Sequence, residues 1–184
     1  KTKDSIINLE QDKVIGDIRF GMTEQEFEIQ KDSFLKETEF VDYEFQGRKF
    51  YRSKIGTYQL SFIRGIYNND SLYYTRIIGH PIHYEKYDSN LKKELQSIYN
   101  IFKNKYGTPQ QDNVVPEWHQ ISNGQTYPVA KWIVGTKSID INIVDGGVYR
   151  YIHVNIYRQD AVDQLRKERE FQEKNEENQA TDLI

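Results

Sequence analysis

Residues 138–157 read SIDINIVDGGVYRYIHVNIY. Apolar and polar residues alternate on both sides of Asp145-Gly146-Gly147, which is the pattern of two strands that each bury one face. A two-residue Gly-Gly loop between such segments is typical of a tight hairpin. The segment therefore predicts an antiparallel β-hairpin whose two faces differ in polarity.

The last strand of this hairpin separates its two faces most clearly. Its aliphatic side comprises Val148, Ile152, Val154 and Ile156, interrupted by Arg150. Its other side comprises Tyr149, Tyr151, His153, Asn155 and Tyr157. Because successive side chains of a strand point to opposite faces, we expect the aliphatic row to face helices and the tyrosine row to lie on the outer face of the sheet.

Working outward, the same pattern of one helix followed by strands occurs twice. The first helix opens at Thr23, which has capping-box spacing to Glu26, and the second ends at Gly107. The predicted strands are about 39–45, 48–52, 57–67 and 72–78 after the first helix, and 114–121, 126–134, 138–144 and 148–157 after the second. The sequence thus predicts an α+β fold in which two helix-plus-four-strand antiparallel meander repeats join into one sheet, with the helices on one face, followed by a charged C-terminal helix.

This organisation divides the chain into four parts. They are an extended lead-in (1–22), a first α-β4 unit (23–80), a second α-β4 unit (81–158) and a charged helical tail (159–184). Residues 158–184 hold five basic and eight acidic residues, which account for the whole net charge of −3. Opposite charges four residues apart favour an exposed helix that docks by its first turns, and we expect disorder after about Asn175. Such a helix is either simply solvated or binds a partner.

The composition excludes several classes of function. Without cysteine there is no disulfide framework, thiol nucleophile or cysteine-ligated zinc site. No apolar run approaches the ~20 residues that a membrane span needs. Residues 1–157 are electrically balanced, so nothing in their charge predicts a nucleic-acid partner.

The motifs of catalysis and metal binding are also missing. The chain has no Gly-x-Ser-x-Gly elbow, Ser-x-x-Lys pair, His-Glu-x-x-His helix or Walker loop, although a carboxylate pair around Asp140 would escape such a search. This favours a non-enzymatic function over an enzyme. His80 and His83 are three residues apart, but Pro81 favours extended backbone, which directs them to opposite faces. We therefore interpret them as linker histidines and expect no metal site and no cofactor.

The candidate binding residues are aromatic side chains and one histidine: Tyr149, Tyr151, His153, Tyr157 and Trp118. The tyrosine row is either an ordinary set of strand formers or a recognition surface, because tyrosine offers a large contact area and a hydroxyl at low entropy cost. Recognition requires that its tyrosines are exposed and not covered by the C-terminal helix. Trp118 follows Pro116 in a segment expected at a sheet edge. It belongs to the binding site if exposed and to the core if buried.

The element order α-β4-α-β4 resembles the tandem fold of the beta-lactamase inhibitor protein family. Two motifs carry the resemblance, Gly21-Met22-Thr23 followed by Phe27, and Lys105-Tyr106-Gly107-Thr108-Pro109. They are also similar to turns in the small bacterial envelope lipoproteins of the outer-membrane assembly type. The resemblance implies a secreted, periplasmic or cell-envelope binding module, with a lipid anchor upstream of residue 1. The first residue, Lys1 instead of Met, agrees with a processed start.

The sequence therefore predicts a non-enzymatic module that recognises a protein or peptide on an open, tyrosine-rich sheet face. The alternative is a small-ligand carrier or hydrolase with a cavity between helix and sheet, where His119 meets a carboxylate. The first requires an uncovered aromatic face, and the second requires a sizeable pocket with convergent polar groups.

Overall fold

The computed structural model describes residues 10–45, 48–122 and 124–181. The described part of the lead-in forms a short hairpin of two strands, β1 (Lys13–Ile15) and β2 (Ile18–Arg19). Its turn requires Gly16, because φ is +55° there and a Cβ atom would lie 2.7 Å from the ring of Phe34. The hairpin buries Ile18 completely, next to the first helix.

The first unit begins with helix α1 (Glu24–Glu37), whose start is fixed by the predicted capping box. The backbone N–H of Glu26 donates to the Thr23 hydroxyl, and the N–H of Thr23 donates to the Glu26 carboxylate at 2.9 Å. The hydrogen bonds that the backbone N–H and the hydroxyl of Thr23 donate to the Glu26 carboxylate lower the pKa of Glu26. Four strands follow: β3 (Glu39–Phe45), β4 (Arg48–Ile55), β5 (Tyr58–Asn68) and β6 (Ser71–Gly79).

The second unit begins with strand β7 (Ile82–His83) and two helical turns, Tyr84–Lys86 and the wider Tyr87–Leu91, which lead into helix α2 (Lys92–Tyr106). The helix ends as predicted at Gly107, which has a φ of +82°. Four strands follow: β8 (Gln111–Asp112), β9 (Thr126–Val134), β10 (Lys137–Gly146) and β11 (Tyr149–Arg158).

The predicted strand at 114–121 is wrong. The segment is a loop that contains a 3₁₀ turn, Trp118–Gln120, and the two-residue β8 takes the position next to β9. Pro116 has no N–H to give to a strand ladder, and its carbonyl accepts a hydrogen bond from the Tyr87 hydroxyl at 2.6 Å. The segment is therefore held by side-chain hydrogen bonds, from Tyr87 before α2 and from the Tyr127 hydroxyl of β9 to the Gln120 carbonyl at 2.9 Å, and not by a strand ladder.

The strands form one antiparallel sheet with the order β3-β4-β5-β6-β11-β10-β9-β8, and β7 pairs with the start of β11. The two meanders join through their last strands, where Ile77 of β6 lies opposite Val154 of β11. Helices α1 and α2 pack on the same face of this sheet. The predicted class, two α-β4 units joined into one α+β sheet with the helices on one face, is confirmed.

The inner face of the sheet is the core that the alternation in 138–157 predicted. Its central side chains are fully buried: Ile139, Ile141, Ile143, Ile152, Val154 and Ile156. Burying a side chain of this size contributes about 1.5–3 kcal/mol. Trp132 of β9 packs on the same face, and its indole N–H donates to the Gly107 carbonyl at 2.9 Å. This bond ties the end of α2 to the second meander.

Helix α3 (Gln159–Thr181) follows β11 directly and forms the tail. Its first turns are docked, since Val162 and Leu165 are half-buried, whereas Phe171 is exposed. The helix extends to Thr181, and the disorder expected after about Asn175 stays a prediction. In the described ranges, no helix combines the length and the apolar character that crossing a membrane would need.

Candidate binding surface

The outer face of the sheet, opposite α1 and α2, carries side chains in rows that run across five strands, β5-β6-β11-β10-β9. Residues that pair across antiparallel strands lie side by side on one face. The open row is Phe62, Ile78, His153, Asn142 and Pro128. The charged row is Arg64, Arg76, Asn155, Asp140 and Lys131. The covered row is Ile66, Tyr74, Tyr157, Ser138 and Ile133.

No helix of the described residues covers the outer face at the Phe62 end of the open row or around Tyr149 near the start of β11. Phe62 exposes 53% of its surface and Tyr149 exposes 39%. Ile78, Tyr151 and His153 are half-buried between them and the sheet. All of these side chains except that of Tyr149 border a shallow depression of about 390 Å³. Aromatic and aliphatic groups thus meet solvent together on the side of the sheet that α1 and α2 leave free.

Phe62 reaches this face because of a β-bulge. Strict alternation along 57–67 predicts that Tyr58, Leu60 and Phe62 share one face of the strand. In the structure the register with β6 shifts between Leu60 and Phe62, so Leu60 is buried and Phe62 points outward. Ile63 takes the next buried position. An extra residue in one strand exchanges the two faces beyond it, which is why the prediction for Phe62 was wrong.

Most of the covered row lies under α3, whereas Ile133 at its β9 end is 48% exposed. The Ser138 hydroxyl donates to the side chain of Gln159 at 3.3 Å, and later turns of α3 face Tyr74 and Asn68. The helix therefore runs across the strands from β10 towards β5. Tyr157 is only 8% exposed, and its ring stacks on Tyr74 with the centroids 5.5 Å apart. The expectation that Tyr157 would be exposed with the other tyrosines is wrong, because the chain passes directly from β11 into the helix that covers it.

The Tyr157 hydroxyl is fully engaged in the charged row. It donates to Asp140 at 2.8 Å and accepts from the Lys131 ammonium at 3.0 Å. Burial raises the pKa of Asp140, and the hydrogen bond from Tyr157 and the positive charge of Lys131 partly offset this rise. Burial also raises the pKa of Tyr157. Tyr157 is thus a structural tyrosine, without a free hydroxyl to offer a partner.

His153 is the polar member of the open row that lies nearest the aromatic groups. Its ring centroid is 6.2 Å from that of Tyr151. Burial and the neighbouring Arg76 guanidinium lower the pKa of His153 to about 4. The imidazole is therefore neutral at pH 7, with one donor and one acceptor nitrogen in an otherwise apolar patch.

Trp118 lies apart from the tyrosine row. It is 51% exposed in the 3₁₀ turn, with its ring 5.8 Å from that of His119. The preceding residue, Glu117, pairs at 3.2 Å with Lys92 at the start of α2. Of the five candidate residues, the structure brings the four on β11 together on one face and places Trp118 elsewhere.

A second depression, of about 340 Å³, lies between α2 and β8. Apolar side chains line it, Leu95 and Val115 among them, together with Tyr99 and Asp112. The Tyr99 hydroxyl donates to Asp112 at 2.7 Å, and this bond raises the pKa of Tyr99. His119, the candidate partner of a carboxylate here, does not line the depression.

One buried polar contact was not predicted from the sequence. Nδ1 of His80 lies 3.4 Å from the carboxylate of Glu94, and both side chains are buried. Glu94 also accepts the backbone N–H of Gln59 at 3.0 Å, which ties α2 to β5. His83 lies elsewhere, with its ring 5.9 Å from that of Tyr149. Across the described ranges, no three histidine or carboxylate side chains are grouped so that they could hold a metal ion.

The geometry defines a class of protein: an α+β chain with one broad antiparallel sheet whose outer face is half covered by a tail helix. Comparison of the chain with protein-family models, curated proteins and solved structures gave no match.

Proposed function

We propose that the protein is a non-enzymatic binding module that recognises a protein or peptide on the uncovered part of its outer sheet face. The observation that carries the proposal is the exposure of Phe62 next to Ile78, Tyr151 and His153. Clustered aromatic side chains of this kind lose water on binding and supply most of the energy of many interfaces. The depression beside them is shallow and suits side chains from a partner surface.

A selection experiment tests this proposal. Peptides selected from a displayed library on the immobilised chain should bind Phe62→Ala at least about tenfold more weakly than the wild type, because an anchoring aromatic side chain is truncated. The matched control is Ile29→Ala, which removes an equally exposed apolar side chain from α1 on the other side of the sheet. Since Phe62 is exposed, truncating its side chain should change the free energy of unfolding by no more than about 0.5 kcal/mol relative to the wild type. Selected peptides that bind both variants as tightly as the wild type would contradict the proposal.

A secreted or cell-envelope location, with a lipid anchor upstream of residue 1, is part of the proposal and rests only on the resemblance in topology and turns. Fractionation of the source cells, followed by mass spectrometry of the mature N terminus, tests it. A lipid-modified or signal-cleaved chain in the envelope or medium is the expected result. A chain recovered from the cytoplasm with its initiator methionine would refute this location.

A second candidate function, a small-ligand carrier, is favoured by the depression between α2 and β8, whose volume of about 340 Å³ is at the lower end of ligand sites. Gln96 is an exposed residue that lines this depression, so Gln96→Trp places a large ring at the rim and should abolish ligand binding in the depression. Thermal-shift screening of small molecules against both chains checks this. Ligands that stabilise the wild type and the variant equally would exclude this depression as their site.

A further inference from the structure

The groove between α3 and the sheet, here called the arginine groove, has an excess of positive charge. Its volume is about 700 Å³. Its walls contain Arg76 from β6 and Arg166, Glu168 and Arg169 from α3. Arg166 already pairs with Asp163 at 3.4 Å and with Glu170 at 3.9 Å, so Arg76 and Arg169 carry the excess. The whole chain carries a net charge of −3, so this excess is a local property of the groove.

Arg76 is held in place without a partner of opposite charge. Its Nε donates to the Asn155 side chain at 3.0 Å, and its Nη2 donates to the Tyr74 hydroxyl at 3.2 Å. Both partners are neutral, and no carboxylate of the described residues forms an ion pair with the guanidinium. A guanidinium fixed in this way loses little conformational freedom when it binds an anion.

Arg64 lies beside Arg76 but outside the arginine groove, in a depression that Glu24 and Glu28 also line. Arg64 and Arg76 pair directly across β5 and β6 in the charged row. Like charges in facing positions repel each other, and an anion bound near both would relieve the repulsion. The low pKa of His153, to which Arg76 contributes, agrees with this uncompensated positive charge.

The groove also offers apolar contacts. Ile66 and Tyr74 contribute from the sheet, and Val162 and Leu165 contribute from α3. Arginines and apolar side chains thus face the same space. A ligand that fits both must carry separated anionic groups on an apolar scaffold, as an extended peptide does when acidic and aliphatic residues alternate along it.

We propose that the arginine groove binds an extended acidic peptide segment of another protein. Its carboxylates pair with Arg76 and Arg169, and its apolar side chains pack on Tyr74 and Leu165. Nucleic acid fits less well, because a phosphate backbone needs a longer basic surface than these few arginines provide. The site begins at Arg76 in the charged row and extends away from Phe62, so it is distinct from the surface of the proposed function.

The test is an NMR titration of the full, isotope-labelled chain with a capped peptide of alternating Glu and Leu. Saturable shifts are expected at Tyr74, Arg76 and Leu165. The same peptide with Gln in place of Glu should bind at least about tenfold more weakly, because charge-assisted hydrogen bonds are lost. Absence of binding up to about 1 mM, the weak end of measurable affinity, would overturn the proposal. Shifts confined to Phe62 and Tyr151 would overturn it as well.

Two exposed positions on α3 provide a matched pair of variants. Arg169→Glu and Lys167→Glu change the net charge equally, but only Arg169 lines the groove. Arg169→Glu is expected to weaken peptide binding about tenfold more than Lys167→Glu. Equal losses would show a long-range effect of charge and no site. Complete displacement of the peptide by millimolar inorganic phosphate would reduce the groove to a simple anion site, which also refutes the peptide proposal.

Discussion

The buried Lys137 ammonium should make the protein more stable at mildly alkaline pH than at neutral pH. Lys137 is fully buried, and its Nζ donates to the carbonyls of Glu10 and Lys13 and to the Tyr106 hydroxyl. Burial lowers the pKa of Lys137 to about 8. These bonds stabilise the charged form only in part, since no carboxylate of the described residues pairs with the ammonium.

The sign and size of the effect follow from the two pKa values. Between about 8 and the ordinary value of 10.5, the unfolded chain keeps a proton on Lys137 that the folded chain has released, so the free energy of unfolding rises with pH. A shift of this size corresponds to about 3 kcal/mol in total. About 2 kcal/mol of it should be gained between about pH 7 and about pH 9.5. Above that range tyrosines such as Tyr58, whose pKa is raised by burial, reverse the trend because they ionise only in the unfolded chain.

Urea unfolding followed by tryptophan fluorescence measures this gain directly. Lys137→Met keeps an unbranched apolar side chain and has no proton to lose, so its free energy of unfolding should be nearly constant from about pH 7 to about pH 9.5. Lys167→Met removes an exposed lysine of α3 and should behave as the wild type does. If Lys137→Met gains as much stability as the wild type, Lys137 is not the source of the pH dependence and the reasoning fails.

Three further predictions concern stability. Because His153 has a pKa of about 4 in the folded chain, the free energy of unfolding should fall by at most about 3 kcal/mol as pH falls from about 6.5 to 4. His153→Gln should remove this pH dependence in urea titrations over the acid range. In Gly79→Ala a Cβ would lie 2.8 Å from the Ile152 carbonyl, so calorimetry should show a loss of about 1–3 kcal/mol, and an unchanged melting temperature would contradict the packing. Arg150→Met leaves the buried carboxylate of Asp145 unpaired and should lower the free energy of unfolding by about 3–5 kcal/mol, as measured by urea unfolding. A loss below about 1 kcal/mol would show that the pair is solvated.

Most of the fold was predictable because short stretches of sequence determine its strands and helix ends. The alternation on either side of Gly146-Gly147 determines which side chains each strand can bury, and the capping box at Thr23 and the glycine at 107 determine where helices begin and end. The exception, the strand predicted at 114–121, contains Pro116, whose missing N–H already argued against a place inside a ladder. The apolar pattern of that segment arises because Ile121 joins the core from a loop.

The binding surface was less predictable, because two of its features depend on distant parts of the chain. The bulge that exposes Phe62 requires a register shift against β6, and its only trace in the sequence is that Phe62 and Ile63 are adjacent apolar residues where strict alternation allows one. The burial of Tyr157 depends on which face α3 crosses after Arg158. The amphipathic stripe of the tail is too thin to determine that direction from local sequence alone.

The same geometry explains why the outer face has one covered part and one open part. On one face of a strand, successive rows are about 6.6 Å apart, and a helix with its side chains is about 10 Å wide. A helix that runs across the strands over Tyr157 therefore reaches the charged row at Arg76 but not the open row at Phe62. Since β11 must end before α3 begins, the covered row lies at the end of the strand and the open row lies nearer its start. The connection at Arg158 thus produces both surfaces, an aromatic one that the helix cannot reach and a cationic one that the helix completes.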